Sequence, residues 1–258
     1  MKGLAAALDA RARRALRRGA LEPVESELVW LEDEDVAFAV RVVAALERKR
    51  AAPAPPGGDP FLPYDEELHV ADVSDTHVAL LNRFPVMERH LLIVTRDFED
   101  QERPLTRADL GALAACMAEL PGLGFYNAGR AAGASQPHKH LQLVPEGPDL
   151  AIPLEARIRA AALPFAHAVA HLEPGSGGDA ELLHRAYETL RAGWRGPYNL
   201  LVTGSWMLFV PRARECWEGV SVNALGFAGS LLARSREELE RIRRVGPMNV
   251  LRNVARLR

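Results

Sequence analysis

The chain has 258 residues, a formal net charge of −2, and 48% hydrophobic and 26% charged residues. That is enough apolar material for a sizeable core and too ordinary a balance for wholesale disorder. A near-neutral chain also lacks the basic excess of a dedicated binder of long nucleic acids.

In chain order, the first 19 residues read as an amphipathic surface helix ended by Gly19. A targeting peptide is disfavoured because the apolar stretch is short and arginines continue where a cleavage site would stand. An acidic patch spans residues 22–35, and a β-rich run follows at 36–43. Residues 51–60 are rich in Pro, Gly and Ala and read as a linker. Strands are expected at 68–73, 78–82 and 90–95, each apolar and bounded by turn-formers. Thr106 as N-cap, with Asp109 completing a capping box, opens a helix over 106–119 that Pro121-Gly122 stops. A strand at 124–127 leads through a small-residue loop, 128–137, into a strand at 138–144. A polar loop at 173–179, a helix at 180–191, strands at 198–202 and 207–210, and helices from Ser235 complete the reading. No internal repeat is visible. The pattern predicts an α+β fold with an antiparallel sheet.

Cys116 and Cys216 are the two cysteines. They exclude a disulfide framework and a four-cysteine zinc site, and a reduced, cytoplasmic home is the simplest expectation. No run approaches the roughly 18 apolar residues of a spanning helix, so no membrane is expected as a partner.

The chemistry concentrates between Asn127 and Gln142. Strand alternation points His138, His140 and Gln142 to one face, with Lys139, Leu141 and Leu143 on the other. Upstream, Gly133, Ala134, Ser135 and Gln136 form a loop able to turn backbone N–H groups toward an anion. A nucleophile and an anion cradle thus lie side by side. A histidine pair at i, i+2 is also a common structural or metal-binding pattern. Zinc would want a third ligand, Gln142 is a poor one, and no clustered acid stands nearby, so no metal ligand set is assigned.

The run GASQPHKHLQLVP resembles the ATP adenylyltransferases, or diadenosine tetraphosphate phosphorylases, the branch of the histidine-triad superfamily whose motif ends in Gln. Further matches are PFLPY at 60–64, LNRF at 81–84, HLLIVT at 90–95 with FEDQ at 98–101, and YNLL with WM and VPR between 198 and 212. The resemblance implies a single histidine-triad-like nucleotidyltransferase domain over 1–258, its antiparallel sheet flanked by helices. The core would lie at about 60–145, with N- and C-terminal elaborations, the latter substrate-binding at about 195–250.

By the same resemblance, His140 is the nucleophile that takes AMP, Gln142 contacts the transferred phosphate, and His138 supports through side chain or carbonyl. Lys49, Asn82, Arg83 and Asn127 correspond to substrate contacts, as do Gly133, Ala134, Ser135 and Gln136. Asn199, Thr203, Met207 and Arg212 correspond to contacts with the second nucleotide half. Arg83 stands where the family commonly has Lys. The implied reaction converts diadenosine tetraphosphate and phosphate reversibly to ATP and ADP, with Mg²⁺ or another divalent cation accompanying the polyphosphate and no organic cofactor. Two alternatives are a galactose-1-phosphate uridylyltransferase-type enzyme and a non-catalytic dinucleotide-binding protein. The sequence sets no oligomeric state.

Overall fold

A computed structural model describes residues 2–43, 59–173 and 178–257. Lys49 and the linker up to residue 58 lie outside the described residues. Helix α1 (Leu4–Arg18) forms as its pattern requires. Leu4, Leu8 and Ala15 are buried, Arg17 and Arg18 sit in the last turn, and Gly19 closes it in the left-handed conformation.

The acidic patch hides a strand. β1 (Glu27–Asp33) pairs antiparallel with β2 (Val36–Val42) across a two-residue turn, in which Glu34 and Asp35 both have positive φ. Val29 and Leu31 point inward from it, Glu27 and Glu32 are exposed, and Asp33 accepts from Met248 N–H at 2.8 Å.

The central sheet has eight strands: β3 (His69–Asp72), β4 (His77–Leu81), β5 (Leu91–Thr95), β6 (Gly122–Ala128), β7 (His140–Pro145), β8 (Ala168–His171), β9 (Tyr198–Val202) and β10 (Trp206–Pro211). Their spatial order is β3-β4-β5-β7-β6-β9-β10-β8, and every neighbouring pair is antiparallel. The α+β, antiparallel expectation therefore holds.

Helices α1, α2 (Arg107–Met117) and, after the short α3 (Glu155–Arg159), α4 (Ala180–Arg191) share a core with one face of this sheet. Leu8, Leu110, Leu113 and Tyr187 meet Leu141, Leu143 and Met207 there. The opposite face is divided. Its β6, β9 and β10 half packs through Phe125, Leu201 and Leu208 against a second sheet and the C-terminal helices α5 (Arg236–Val245) and α6 (Pro247–Val254). A minor hairpin of β11 (Cys216–Trp217) and β12 (Val220–Ser221) precedes β13 (Ser230–Ala233), which joins that second sheet parallel to β2. Among the described residues, the other half of the face carries a small cluster of Phe61, Val78, Leu80, Leu92 and Val94. Between the two clusters the face is left for β7. No helix among the described residues is long and apolar enough to cross a membrane.

β1, α3, β8 and β11–β13 are elements that the sequence pattern did not announce. Each is short or, in β1, masked by acidic composition. The capping box of α2 forms as expected, with the Thr106 hydroxyl accepting from Asp109 N–H and the Asp109 carboxylate from Thr106 N–H.

The Asp109 carboxylate does more than cap. It also receives His77 Nε2 at 3.0 Å and Lys139 Nζ at 2.8 Å. Lys139 is fully buried and is completed by Glu99 at 3.0 Å and the Pro104 carbonyl at 3.1 Å. Burial alone would raise the Asp109 carboxyl, but hydrogen bonds from His77 and Lys139 together outweigh it and hold the pKa at about 2. Removing one member of such a pair strands the other charge. Asp109→Ala is expected to cost about 3–5 kcal/mol in urea unfolding, and adding Lys139→Met should recover much of that loss. A single variant as stable as the parent would show that Lys139 finds water instead.

Candidate active site

The regular part of β7 begins at His140; His138 lies just before it, held by an isolated bridge to Asp100. Alternation is kept across both. Lys139 enters the helix-covered face, and the His138 and His140 rings both meet Phe61, at centroid distances of 5.6 and 5.3 Å.

His140 is almost fully buried, and its Nδ1–H donates to the His138 carbonyl at 2.8 Å. With the proton held on Nδ1, Nε2 keeps its lone pair. The His140 backbone is fixed by Gln101, whose Oε1 accepts from His140 N–H at 2.8 Å. The Gln101 amide in turn donates to the Asn127 and His140 carbonyls, at 2.9 and 3.2 Å. One buried glutamine thus ties β7 to the end of β6.

Of the two groups of His138, side chain and carbonyl, it is the carbonyl that meets the His140 ring. Both ring nitrogens of His138 are engaged elsewhere: Nδ1 lies 2.6 Å from the Asp59 carboxylate, and Nε2 lies 2.8 Å from the Thr95 hydroxyl and 2.9 Å from its carbonyl.

Gln142 faces the same side as His140. Its Oε1 accepts from His90 Nε2 at 3.0 Å, and Asn82 Nδ2 lies 3.1 Å from His90 Nδ1. Asn82 is thereby joined to the site through His90. Arg83 is exposed beside Glu22 at 3.5 Å.

The loop before His138 is shaped by Gly133. Its φ of +89° suits glycine, and a Cβ there would stand 2.6 Å from the Val222 carbonyl oxygen. Ala134 N–H is used within the loop, donating to the Gly129 carbonyl at 3.2 Å. The N–H groups of Ser135 and Gln136 have no acceptor among the described residues. Ser135 is exposed and Gln136 half-buried. The loop thus holds two backbone donors that no described residue uses, the kind of group that an anion can take up.

Behind this loop is a buried polar network. Asn127 Oδ1 accepts from Asn199 Nδ2 and from Ala224 N–H, both at 2.8 Å. Asn199 Nδ2 also donates to the Ala132 carbonyl at 2.8 Å. Arg212 NH1 donates to Asn199 Oδ1 at 2.6 Å and to the Val222 carbonyl at 2.9 Å. Its remaining nitrogens donate to the carbonyls of Arg214, Glu215 and Val254. Burial pulls the Arg212 guanidinium down to about 10, so it stays charged at neutral pH. Asn199 and Arg212 hold the loop from behind.

Thr203 and Met207 stand apart. Thr203 closes the β9–β10 turn, accepting from Ser205 and Trp206 N–H. That turn lies at the end of the sheet away from His140. Met207 is buried in the helix-side core. A cavity of about 410 Å³, lined by Trp194, Arg191 and His167 among others, contains none of the expected site residues.

Gln101, His90 and Asp59 are the residues that sequence reasoning left out of the site. Gln101 and His90 lay inside quoted motif matches, so their positions were visible though their contacts were not.

Burial pushes His140 down to about 4, helped by the neighbouring His138, although the His138 carbonyl opposes this. Burial does the same to His90, also to about 4. An unfolded histidine titrates near 6.5. Between about pH 6.5 and 4 the unfolded chain therefore binds protons that the folded chain refuses, and stability must fall as pH falls through that window. Each group contributes up to about 1.4 kcal/mol per pH unit there. Urea unfolding between pH 7 and 4.5 should show this decline, with a smaller slope in His140→Asn. An unchanged slope in that variant would show that His140 titrates as a solvated ring.

Comparison with known proteins places the chain in a family and matches its fold. The family model for the Ap4A phosphorylase N-terminal domain matches residues 1–160, and that for the ATP adenylyltransferase C-terminal domain matches residues 161–256. Diadenosine 5',5'''-P1,P4-tetraphosphate phosphorylase 2 of Saccharomyces cerevisiae is 32% identical over 233 residues, covering 71% of each chain. The crystal structure of yeast Ap4A phosphorylase Apa2 superposes with a TM-score of 0.86 at 25% identity, over 99% of this chain and 95% of that one. Its complex with Ap4A gives 0.85 at 27% identity, over 99% and 98%.

Proposed function

This chain belongs to the Ap4A phosphorylase family, and from that premise we propose that it converts diadenosine tetraphosphate and phosphate reversibly to ATP and ADP through AMP carried on His140. The observation that carries the mechanism is the His140 ring itself, with Nδ1–H spent on the His138 carbonyl and Nε2 without a hydrogen-bond partner among the described residues. A neutral imidazole held this way is a nucleophile without prior deprotonation.

The Nε2 lone pair attacks the α-phosphorus, and the bond from that phosphorus to its bridging oxygen breaks. ATP leaves, and the ring becomes a cationic phosphoramidate, its Nδ1–H still bonded to the carbonyl. An oxygen of inorganic phosphate then attacks the same phosphorus from the opposite side. The P–N bond breaks, the electron pair returns to Nε2, and ADP departs. Two in-line displacements give net retention at phosphorus. Glutamine at 142 cannot donate a proton to a leaving group as an imidazolium would. That suits ATP, which is stable as a polyphosphate anion.

The Gly133–Gln136 loop supplies N–H donors to the chain of phosphates, and the Gln142 amide supplies another beside the transferred one. Among the described residues, no group of three or more His, Cys, Asp or Glu side chains is arranged to hold a metal ion. A divalent cation such as Mg²⁺ would therefore arrive on phosphate oxygens and water, and no step above runs through it. Two free cysteines, Cys116 buried and Cys216 exposed, support a reducing, cytoplasmic setting.

Trapping the intermediate tests the reading. With α-labelled diadenosine tetraphosphate and no phosphate, acid-labile, alkali-stable label should appear on His140 and be discharged as ADP when phosphate is added. His140→Asn should abolish both, and Gln142→Ala should lower kcat about a hundredfold, the scale of losing one transition-state donor. Label that persists in His140→Asn places the nucleophile elsewhere. Turnover of UDP-glucose with galactose 1-phosphate, in place of the dinucleotide, would assign the chain to uridylyl transfer.

A further inference from the structure

A glutamine amide has two faces, and only one of them helps an anion. Rotation by half a turn exchanges a pair of donors for an acceptor, and the acceptor would repel the phosphate oxygens. Something must therefore choose the orientation of Gln142. The choice can be followed back through three side chains to a backbone group that has no freedom of its own.

A backbone N–H only donates. Phe84 N–H donates to Asn82 Oδ1 at 3.1 Å, which turns Asn82 Nδ2 toward His90. Asn82 Nδ2 donates to His90 Nδ1 at 3.1 Å. A neutral imidazole that accepts at Nδ1 carries its proton on Nε2, and that N–H donates to Gln142 Oε1 at 3.0 Å. With Oε1 occupied, the Gln142 NH₂ group is left facing away from His90, and it has no partner among the described residues. The His90 ring is itself held against Phe125, at a centroid distance of 5.9 Å. Every link has one sense, so the chain transmits one orientation.

We propose that His90 is a positioning residue for adenylyl transfer, locked in its Nε2–H tautomer so that the Gln142 amide presents its donors to the transferred phosphate. The proposal rests on the reading of His140 as nucleophile and Gln142 as phosphate contact. It assigns the two neighbouring rings opposite tautomers: His140 holds its proton on Nδ1 and His90 on Nε2. The same chain accounts for Asn82, which serves the site through His90.

Two measurements test it. Long-range proton–nitrogen NMR of the uniformly ¹⁵N-labelled, ligand-free protein reads both tautomers without any turnover, the signals being assigned by their loss in His90→Phe and His140→Asn. Protonated Nε2 in His90 is expected, and protonated Nδ1 there overturns the proposal. In single turnover with diadenosine tetraphosphate, His90→Phe should slow His140 labelling about ten- to a hundredfold, with KM near that of the parent. His90→Gln should recover most of the rate, since its Oε1 can accept from Asn82 while its Nε2 donates to Gln142. In a Gln142→Ala background, His90→Phe should cost nothing further. A folded His90→Phe protein with parental rate, or a loss that adds fully to that of Gln142→Ala, overturns the proposal. If the parent itself neither labels nor releases ADP, it is the proposed activity that fails, and the tautomer still decides the role of His90.

Discussion

The burial of the Lys139 ammonium on Asp109 is the constraint from which the site follows. Side chains on a strand alternate faces, and a slip of one residue exchanges them all. Here a slip would take the Lys139 charge away from its three acceptors and bring an imidazole against the Asp109 carboxylate. The cost of a stranded buried charge far exceeds that of most packing errors. One residue on either side, His138 and His140 are therefore committed to the opposite face. The ion pair lies on the other face of the strand, yet it decides which way the His140 ring looks. Asp109 also completes the capping box of α2 with Thr106, so one carboxylate serves both the start of a helix and the register of a strand.

What could be read from the sequence was what lies close along it. The capping box of α2 spans three residues, and the alternation of His138, Lys139 and His140 spans two, so both are visible in a short window. The strand in the acidic patch was not, because its outward residues dominate the composition while Val29 and Leu31 carry the packing. The contacts that fix the site are also distant in the chain. Gln101 meets His140 across 39 residues, His90 meets Gln142 across 52, and Asp59 meets His138 across 79. No periodicity records such pairs; the family motifs show which residues recur there but not what they touch. The same holds for Asn199 and Arg212, whose polar groups turn inward to hold a loop.

The buried charges of the site are turned toward the protein. Its two most buried cations, Lys139 and Arg212, spend their donors on protein acceptors. Among the described residues, the donors left there without a protein partner include two loop N–H groups and the amide of Gln142. Neutral donors held in place bind an anion without presenting it with a mobile counter-charge, and they need no reorganisation as charge moves along the phosphates. A chain with a net charge of −2 is thereby no obstacle to a short, highly charged ligand. Oriented dipoles do locally what net charge would do diffusely.

The parallel pairing of β13 with β2 has a consequence for how the protein is made. Residues 230–233 lie beside residues 39–42, and β8–β10 complete a sheet whose other strands come from the first 145 residues. The small sheet cannot close on the ribosome until the segment after β12 has emerged. Until then, the face of β6 that carries Phe125 lacks its cover from the C-terminal helices. Contacts between segments so far apart in sequence form late and slowly, and a nascent chain with that apolar face open invites association with other chains. The fold that buries the histidine therefore leaves an interval in synthesis during which its apolar sheet face has nothing of its own to cover it.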